Sequence, residues 1–187
     1  MDYRTAQGTL MLVEREALFD LAQQVAAQSG PRVITNLGVQ FGASCVCLRQ
    51  GCPDADLYGI DIDLAQLPQK VRDELGPHTF LIERDSMQYV PAMLDACERS
   101  TPARLNLVFV DGLHYKDFVR NDAQLSRLVI LGGFMAFHDA YEWDHPEREQ
   151  LEVYPPIQEW LAQYPGEWQE LPKAGTTRIF QRVAGGG

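Results

Sequence analysis

Polar residues follow five short apolar runs of the sequence, and their types are those that bind ligands or move protons. They are, run by run, Gly38, Gly42 and Ser44; Asp61; Asp85 and Ser86; Asp111 and His114; and His138 and Asp139. Carboxylates accept hydrogen bonds from hydroxyl groups and hold cations, and imidazoles accept protons near neutral pH. Glycines between a strand and a helix allow tight turns and a close approach of the backbone to a ligand. The pattern therefore predicts one polar ligand site.

The elements that position these residues alternate along the chain. The predicted strands are 32–37, 57–60, 79–82, 105–110 and 134–137, and the predicted helices are 14–27, 43–50, 64–75, 87–99, 115–128 and 156–163. Strands that alternate with helices predict a parallel sheet with right-handed crossovers. Segments 167–171 and 177–183 leave no room for a helix between them and predict a hairpin.

Together these elements predict an α/β fold with a single Rossmann-like, doubly wound sheet of seven strands. The sheet is expected to be mostly parallel, with an antiparallel C-terminal hairpin strand and helices on both faces. In such sheets ligands bind beyond the carboxyl ends of the strands, which is where the polar residues lie. We expect one domain over residues 1–183, with a helical N-terminal extension at 1–30 and a disordered tail at 184–187.

The composition predicts a globular cytoplasmic protein. Of the 187 residues, 45% are hydrophobic and 22% charged, which is typical of globular domains, and no apolar run approaches the roughly 18 residues that span a bilayer. The formal net charge of −10 repels nucleic-acid phosphates and anionic lipids, so neither nucleic acid nor a membrane is an expected partner. The four cysteines lack the spacing of zinc or redox motifs, which predicts free thiols in a reducing compartment.

The distance between Gly38 and Asp61 indicates a nucleotide cofactor. Asp61 follows Gly38 by 23 residues, close to the spacing at which an acid after the second strand binds ribose hydroxyls. Gln40 stands where the dinucleotide fingerprint has its second glycine, and the chain has no length for the second domain of a nicotinamide-dependent dehydrogenase. An adenosine-containing cofactor is the preferred interpretation, and an NAD(P)-dependent oxidoreductase-like nucleotide-binding protein is the alternative.

Four sequence blocks carry a resemblance to a known family. They are LGVQFGAS at 37–44, GIDID at 59–63, VDGLHY at 110–115 and GGFMAFHD at 132–139. Over residues 32–183 the chain resembles the class I S-adenosylmethionine-dependent methyltransferases, in particular the compact small-molecule and metal-dependent O-methyltransferases of the methyltransferase-24-like branch. The resemblance implies S-adenosylmethionine as cofactor and methyl transfer to a small-molecule acceptor, with a hydroxyl as the favoured acceptor group.

The resemblance also implies eight cofactor-binding residues: Asn36, Gly38, Gly42, Ser44, Asp61, Asp85, Ser86 and Asp111. In the family the glycines pass beneath the methionine part, the acid after the second strand holds the ribose hydroxyls, and the residues after the third strand meet the adenine. Ser44 is also placed to cap the next helix, and Asp111 would face the methionine amino group or a metal. Asn36 departs from the acid that family members often carry and adds no charge. This departure leaves open an S-adenosylmethionine-binding module without catalysis.

Catalysis is assigned to His138, His114 and Asp111. A hydroxyl acceptor must lose a proton, and the two histidines are best suited to take it. The metal-dependent branch holds a divalent cation (Mg, Mn or Fe) with an acid after the fourth strand and a residue pair after the fifth, here Asp111 and the pair His138–Asp139. One imidazole favours manganese, iron or zinc over magnesium. A cation held by Asp111, His138 and Asp139, and a metal-free site with His138 as the base, remain alternatives.

Two further segments have two interpretations each. Residues 140–155 form an acidic stretch with several aromatic side chains, which is either a solvated connection or a lid over the acceptor. The N-terminal helix, with Met11, Leu12 and Phe19, either closes the same pocket or packs at a homodimer interface. The partner expected in every case is a small-molecule substrate.

Overall fold

One mixed sheet forms the centre of the protein in the computed structural model, which describes residues 1–99, 104–140 and 152–184. Its strands are β1 (Val33–Leu37), β2 (Asp56–Asp61), β3 (Thr79–Glu83), β4 (Leu105–Val110), β5 (Val129–Phe137), β6 (Trp168–Glu170) and β7 (Arg178–Arg182). The strand order is β3-β2-β1-β4-β5-β7-β6. Strands β1 to β5 pair in parallel, whereas β7 pairs antiparallel with both β5 and β6. The predicted seven-stranded fold with its C-terminal hairpin is confirmed.

Helices cover both faces of the sheet. They are α1 (Leu12–Ala26), α2 (Ala43–Gly51), α3 (Gln69–Leu75), α4 (Ser86–Arg99), α5 (Lys116–Ala123) and α6 (Tyr154–Gln163). Helices α1 to α3 pack on one face, where Leu18 and Val46 are buried, and α4 to α6 pack on the other, around Val90, Val119 and Ile157. Because both faces are covered, β4 is buried along its whole length, as parallel strands of α/β proteins usually are.

The strand register aligns the ends of four parallel strands. Leu37 of β1 pairs with Ile60 of β2 and with Val110 of β4, and Val110 in turn pairs with Phe137 of β5. The residue that follows each of these positions therefore lies on the same edge of the sheet. This edge is where sequence analysis expects the ligand site.

The fifth strand begins earlier than the sequence pattern predicts. It starts at Val129 rather than at residue 134, and its register against β4 shifts so that Leu105 pairs with Val129 but Leu107 pairs with Phe134. The shift lies at the Gly132–Gly133 pair, where Gly132 has a φ of +78°. Glycine is suited to such an irregularity. The two glycines therefore lie inside β5 and interrupt its regular pairing, whereas the sequence pattern places them before the strand.

Two predicted helices are shorter or irregular. The segment predicted as a helix over 115–128 is α5 only to Ala123 and continues as a 3₁₀ helix over Gln124–Leu128. The irregular first turn expected near Pro68 is confirmed, because a separate 3₁₀ helix spans Leu64–Gln66 and α3 begins only after Pro68. Neither change moves the strand ends that carry the polar residues.

Other expectations concern cysteines, membranes and the two outlying segments. The four cysteines are free, and Cys45, Cys47 and Cys52 are buried. Within the described ranges no helix combines the length and apolar character needed to span a membrane. Most of the segment interpreted as a lid (141–151) and most of the tail (185–187) lie outside the described residues.

Candidate active site

A cavity of about 540 Å³ opens at the carboxyl ends of the parallel strands. The predicted site residues that line it are Gly38, Asp61, Asp85, Ser86, Asp111, His114, His138 and Asp139. The cavity is also lined by residues from both ends of the chain, among them Met11 and Glu14 of the N-terminal region and Thr176 before β7. The structure thus brings together the residues that follow β1 to β5.

The first end of the cavity is formed by the loop after β1 and the acid after β2. Gly38 has a φ of +90°, and a β carbon added there would lie 2.0 Å from the carbonyl oxygen of Asp111. Only glycine fits this position. Oδ2 of Asp61 accepts hydrogen bonds from the backbone N–H groups of Val39 (2.7 Å) and Gln40 (2.8 Å). The carboxylate therefore holds the glycine loop against the end of β2.

The residues after β3 extend this end of the cavity. Oδ1 of Asp85 accepts a hydrogen bond from the backbone N–H of Met87 (2.8 Å) and so stabilises the first turn of α4. The carbonyl of Ser86 accepts a hydrogen bond from Nδ2 of Asn121 on α5 (3.0 Å).

Asp122, the next residue on α5, is fully buried, and burial raises the pKa of its carboxyl group to about 6. Two helices therefore support the backbone that borders the cavity here.

Four titratable side chains meet at the other end of the cavity. Nδ1 of His138 lies 2.8 Å from Oδ1 of Asp111 and 3.8 Å from Oδ2 of Asp139. His114 lies between the same two acids, with Nε2 at 3.6 Å from Oδ1 of Asp111 and Nδ1 at 3.6 Å from Oδ2 of Asp139. Asp139 has a φ of +50°, an uncommon conformation for an aspartate that is often found at functional sites.

A fifth titratable residue, Glu14 of α1, reaches this end from outside the predicted set. Its side chain is fully buried, and Oε2 lies 3.3 Å from Nε2 of His138. Burial would raise the pKa of Glu14, but hydrogen bonds from His138, Thr176 and Met11 lower it to about 2. Burial would likewise lower the pKa of His138, but the carboxylates of Asp111 and Glu14 outweigh it and raise this pKa to about 10. In the absence of a cation, His138 is therefore an imidazolium between two carboxylates.

The chain matches a family described as a methyltransferase domain over residues 35–140, more than half of its length. The chain belongs to the class I S-adenosylmethionine-dependent methyltransferases. The matched residues run from β1 to the end of β5, and so contain the glycine loop, Asp61, Asp111, His114, His138 and Asp139. The methyltransferase has no significant match among curated protein sequences.

Solved structures of other methyltransferases share the fold. The O-methyltransferase NovP is 13% identical, with a TM-score of 0.71 over 92% of this chain and 81% of that one. TomG from Streptomyces achromogenes, an O-methyltransferase involved in tomaymycin synthesis and solved with S-adenosylmethionine, is 17% identical, with a TM-score of 0.67 over 94% and 82%. CalS11, a TDP-rhamnose 3'-O-methyltransferase, is 18% identical, with a TM-score of 0.63 over 91% and 79%. At these identities the likeness concerns the fold.

Asn36 and Ser44 of the methyltransferase lie behind the cavity wall rather than on it. Asn36 is fully buried, and its Nδ2 donates to the carbonyl of Gly38 (3.0 Å) and to Oγ of Ser44 (3.1 Å). Ser44 does not cap α2, because Gly42 is the residue at the N-cap. Both side chains therefore support the glycine loop from within the core.

Gly42 is also absent from the residues that line the cavity. It has a φ of +87°, and a β carbon there would lie 2.6 Å from Cδ1 of Leu67 and 2.7 Å from Cγ1 of Val71. The position requires glycine because the segment that leads into α3 packs closely against it. The sequence pattern predicts Gly42 as a cofactor contact, whereas the structure places it against Leu67 and Val71.

The acidic and imidazole side chains at the far end fit a divalent cation. Ligand atoms of Asp111, His114 and His138 all lie within 4.8 Å of one another. Nδ1 of His138 approaches Asp111 without the angle of a hydrogen bond, and Nε2 of His114 is buried without a hydrogen-bond partner among the described residues. Imidazole and carboxylate together suit manganese, iron or zinc. Of the three predicted metal ligands, Asp111 and His138 lie together, and Oδ2 of Asp139 lies 3.8 Å from Nδ1 of His138. His114, which was not a predicted ligand, belongs to the same cluster.

The N-terminal region contributes three residues named from the sequence, Met11, Leu12 and Phe19, and one that was not, Glu14. Met11 lines the cavity, as expected for a helix that closes the pocket, whereas Leu12 is 53% exposed and Phe19 stacks on Tyr3 at 4.5 Å between ring centroids. Glu14 has the sequence signal of an ordinary first-turn acid, which favours a solvated position. Only long-range contacts show that it is buried beside His138.

Proposed function

We propose that this methyltransferase transfers the methyl group of S-adenosylmethionine to a hydroxyl group of a small molecule. The observation that carries the proposal is a single cavity with two chemically different ends. One end has the glycine loop and Asp61, and the other has Asp111, His114 and His138. The first suits a nucleoside and the second suits an acceptor that must lose a proton.

The residues at the first end fit the cofactor. Gly38 and Asp61 both line the cavity, and the Asp61 carboxylate is held beside the loop by the N–H of Val39. Asp85 and Ser86 border the same space. We assign the ribose hydroxyls to Asp61, the adenine to Asp85 and Ser86, and the methionine part to the loop at Gly38. The cavity volume of about 540 Å³ is within the usual range of ligand pockets.

The cofactor supplies a methyl group that its sulfonium already activates. The protein must therefore align the acceptor oxygen with the methyl group, exclude water and remove the proton. Asp111 lies where the two ends of the cavity meet, since its carbonyl contacts Gly38 and its carboxylate contacts His138. This position suits a residue that orients the reacting groups.

We assign the proton-accepting role to His114 rather than His138. Both ring nitrogens of His138 face carboxylates, Nδ1 towards Asp111 and Nε2 towards Glu14. His114 contacts acids only at 3.6 Å, and its Nε2 has no hydrogen-bond partner among the described residues. A general base must lie within reach of the acceptor, and His114 lines the cavity with longer contacts to acids than the closest one of His138.

We further propose that Asp111, His138 and Asp139 hold a divalent cation, with manganese or iron favoured by the imidazole ligand. Such a cation would make the acceptor hydroxyl easier to deprotonate. Nδ1 of His138 lies within 3.8 Å of carboxylate oxygens from both acids. His114 then remains available beside the cation for the acceptor proton.

Calorimetry with S-adenosylhomocysteine tests the cofactor assignment. Wild-type protein is expected to bind it, Asp61→Ala is expected to lose binding, and Asp54→Ala, in an exposed turn before β2, is expected to bind normally. Methyl transfer to a panel of hydroxylated acceptors, with Mn²⁺ or EDTA, tests the reaction. A protein that binds NADH but does not bind S-adenosylhomocysteine would contradict the proposal and favour an oxidoreductase-like function. Cofactor binding without methyl transfer to any acceptor would indicate a module without catalysis.

A further inference from the structure

The carboxylate of Glu14 lies at the acceptor end of the cavity although α1 precedes the matched methyltransferase domain, residues 35–140. Oε2 accepts a hydrogen bond from the backbone N–H of Met11 (2.8 Å) and contacts Nε2 of His138 (3.3 Å). Oε1 accepts from the backbone N–H (2.9 Å) and the hydroxyl (2.7 Å) of Thr176. A fully buried carboxylate is costly unless every lone pair is used, and here both oxygens have two partners.

We propose that Glu14 is a positioning residue that fixes the ring of His138, so that Nδ1 points at Asp111 and is available to a divalent cation. A histidine ligand commonly donates its second ring N–H to a carboxylate, which sets the tautomer and the ring orientation. The N-terminal helix is on this basis part of the active site. The inference rests on the proposed function, since it concerns the cation end of the same cavity.

Gly175 and Thr176 pack closely against the Glu14 carboxylate at Oε1, the oxygen that does not contact His138. Gly175 has a φ of +58°, and a β carbon there would lie 2.8 Å from Oε1 of Glu14 and 2.6 Å from Cε of Met11. The close approach brings the N–H of Thr176 onto Glu14. Helix capping alone accounts for the contact with Met11, but it does not explain the contacts with His138 after β5 and with Thr176 before β7.

Thr176 extends the arrangement to the second acid of the site. Its hydroxyl, 2.7 Å from Oε1 of Glu14, also lies 3.2 Å from Oδ1 of Asp139. Glu14 therefore contacts His138 directly and approaches Asp139 through Thr176. One side chain of the N-terminal helix thus contacts one proposed ligand, His138, directly and lies one residue away from a second, Asp139.

Titration with Co²⁺ alone tests the inference, with calorimetry for affinity and visible absorption for the ligand set. Glu14→Gln keeps the shape but replaces one acceptor oxygen by a donor, and it is expected to weaken Co²⁺ binding at least about 10-fold and to change the absorption bands. Asp20→Asn removes the same charge from an exposed position of the same helix and is expected to match wild type. S-adenosylhomocysteine affinity is expected to stay unchanged in both variants.

A second substitution applies if Glu14→Gln does not fold. Thr176→Val removes one hydrogen bond to Glu14, and Thr176→Ser restores it; the first is expected to weaken Co²⁺ binding several-fold and the second to recover it. Equal Co²⁺ affinity and spectra in wild type, Glu14→Gln and Thr176→Val would overturn the inference, as would a wild-type protein that binds no Co²⁺. If the wild-type protein does not bind S-adenosylhomocysteine, the proposed function is overturned instead.

Discussion

Gly38 and Asp111 lie so close together that a β carbon at position 38 would lie 2.0 Å from the carbonyl oxygen of Asp111. The two residues follow β1 and β4, whose last residues, Leu37 and Val110, are paired in the sheet. The contact joins the end of the cavity proposed to bind the cofactor to the end proposed to bind the acceptor. It follows that substitution at Gly38 disturbs both.

The first prediction concerns this contact. Gly38→Ala is expected to abolish S-adenosylhomocysteine binding and to destabilise the protein, because its β carbon would collide with backbone. Gly30→Ala is a matched control, since Gly30 has a φ of +88° but nothing within 4 Å of an added β carbon; it is expected to cost about 1–2 kcal/mol and to bind normally. Calorimetry and urea denaturation measure both effects. Equal behaviour of the two variants would show that the steric contact is unimportant.

The second prediction concerns the general base. His114→Ala is expected to lower kcat by about 10²- to 10⁴-fold while S-adenosylhomocysteine binding is retained, because His114 is assigned to the acceptor proton and not to the cofactor. His78→Ala, an exposed histidine near Asp56 at the opposite end of β2, serves as the control. Steady-state kinetics with the best acceptor of the panel provide the measurement. Full activity of His114→Ala would show that another residue is the general base.

The third prediction concerns the buried acid of α5. Burial raises the pKa of Asp122 to about 6 from its usual 3.8, so the folded protein retains a proton that the unfolded chain loses. The free energy of unfolding is therefore expected to fall as pH rises from about 4 to about 6. Asp122→Asn should remove this part of the pH dependence and stabilise the protein at pH 7 by up to about 3 kcal/mol.

Urea denaturation from pH 4 to pH 8 measures the effect of Asp122. The exposed Asp117, on the same helix and paired with Arg120, gives the control variant Asp117→Asn. Parallel stability profiles for wild type and Asp122→Asn would contradict the raised pKa. The substitution keeps the hydrogen bond from Asn121 to the carbonyl of Ser86 but changes the side chain that the Ser86 hydroxyl contacts.

The fourth prediction concerns the missing acid at position 36. Nδ2 of Asn36 donates to the carbonyl of Gly38 and lies within hydrogen-bond distance of Oγ of Ser44 and Sγ of Cys45, and a carboxylate at this position could not donate to the Gly38 carbonyl. Asn36→Asp would bury a charge without a cation and is expected to destabilise the protein by about 1–3 kcal/mol. Thermal unfolding and S-adenosylhomocysteine binding test whether the acid helps the cofactor here; tighter binding in Asn36→Asp would contradict this account.

The sheet and the position of the site could be predicted from the sequence because both depend on local patterns. Apolar runs that end in Asp61, Asp111 or His138 mark strands and their carboxyl ends, and parallel pairing places these ends on one edge. Glu14 could not be predicted in this way. Its hydrogen-bond partner Thr176 is 162 residues away, and an acid in the first turn of a helix usually faces solvent. Gly42 illustrates the same limit, since close packing and ligand contact both require glycine.

The pairing of Glu14 with Thr176 has a consequence for the synthesis of the protein. During translation α1 emerges first, and Thr176 follows 162 residues after Glu14. Until then Glu14 lacks two of its hydrogen bonds, and the ring of His138 lacks its fixed support. The end of the cavity that holds His138 is therefore completed only after β1 to β5 have been synthesised, and a chain that stops before Thr176 would keep the glycine loop without this support of His138.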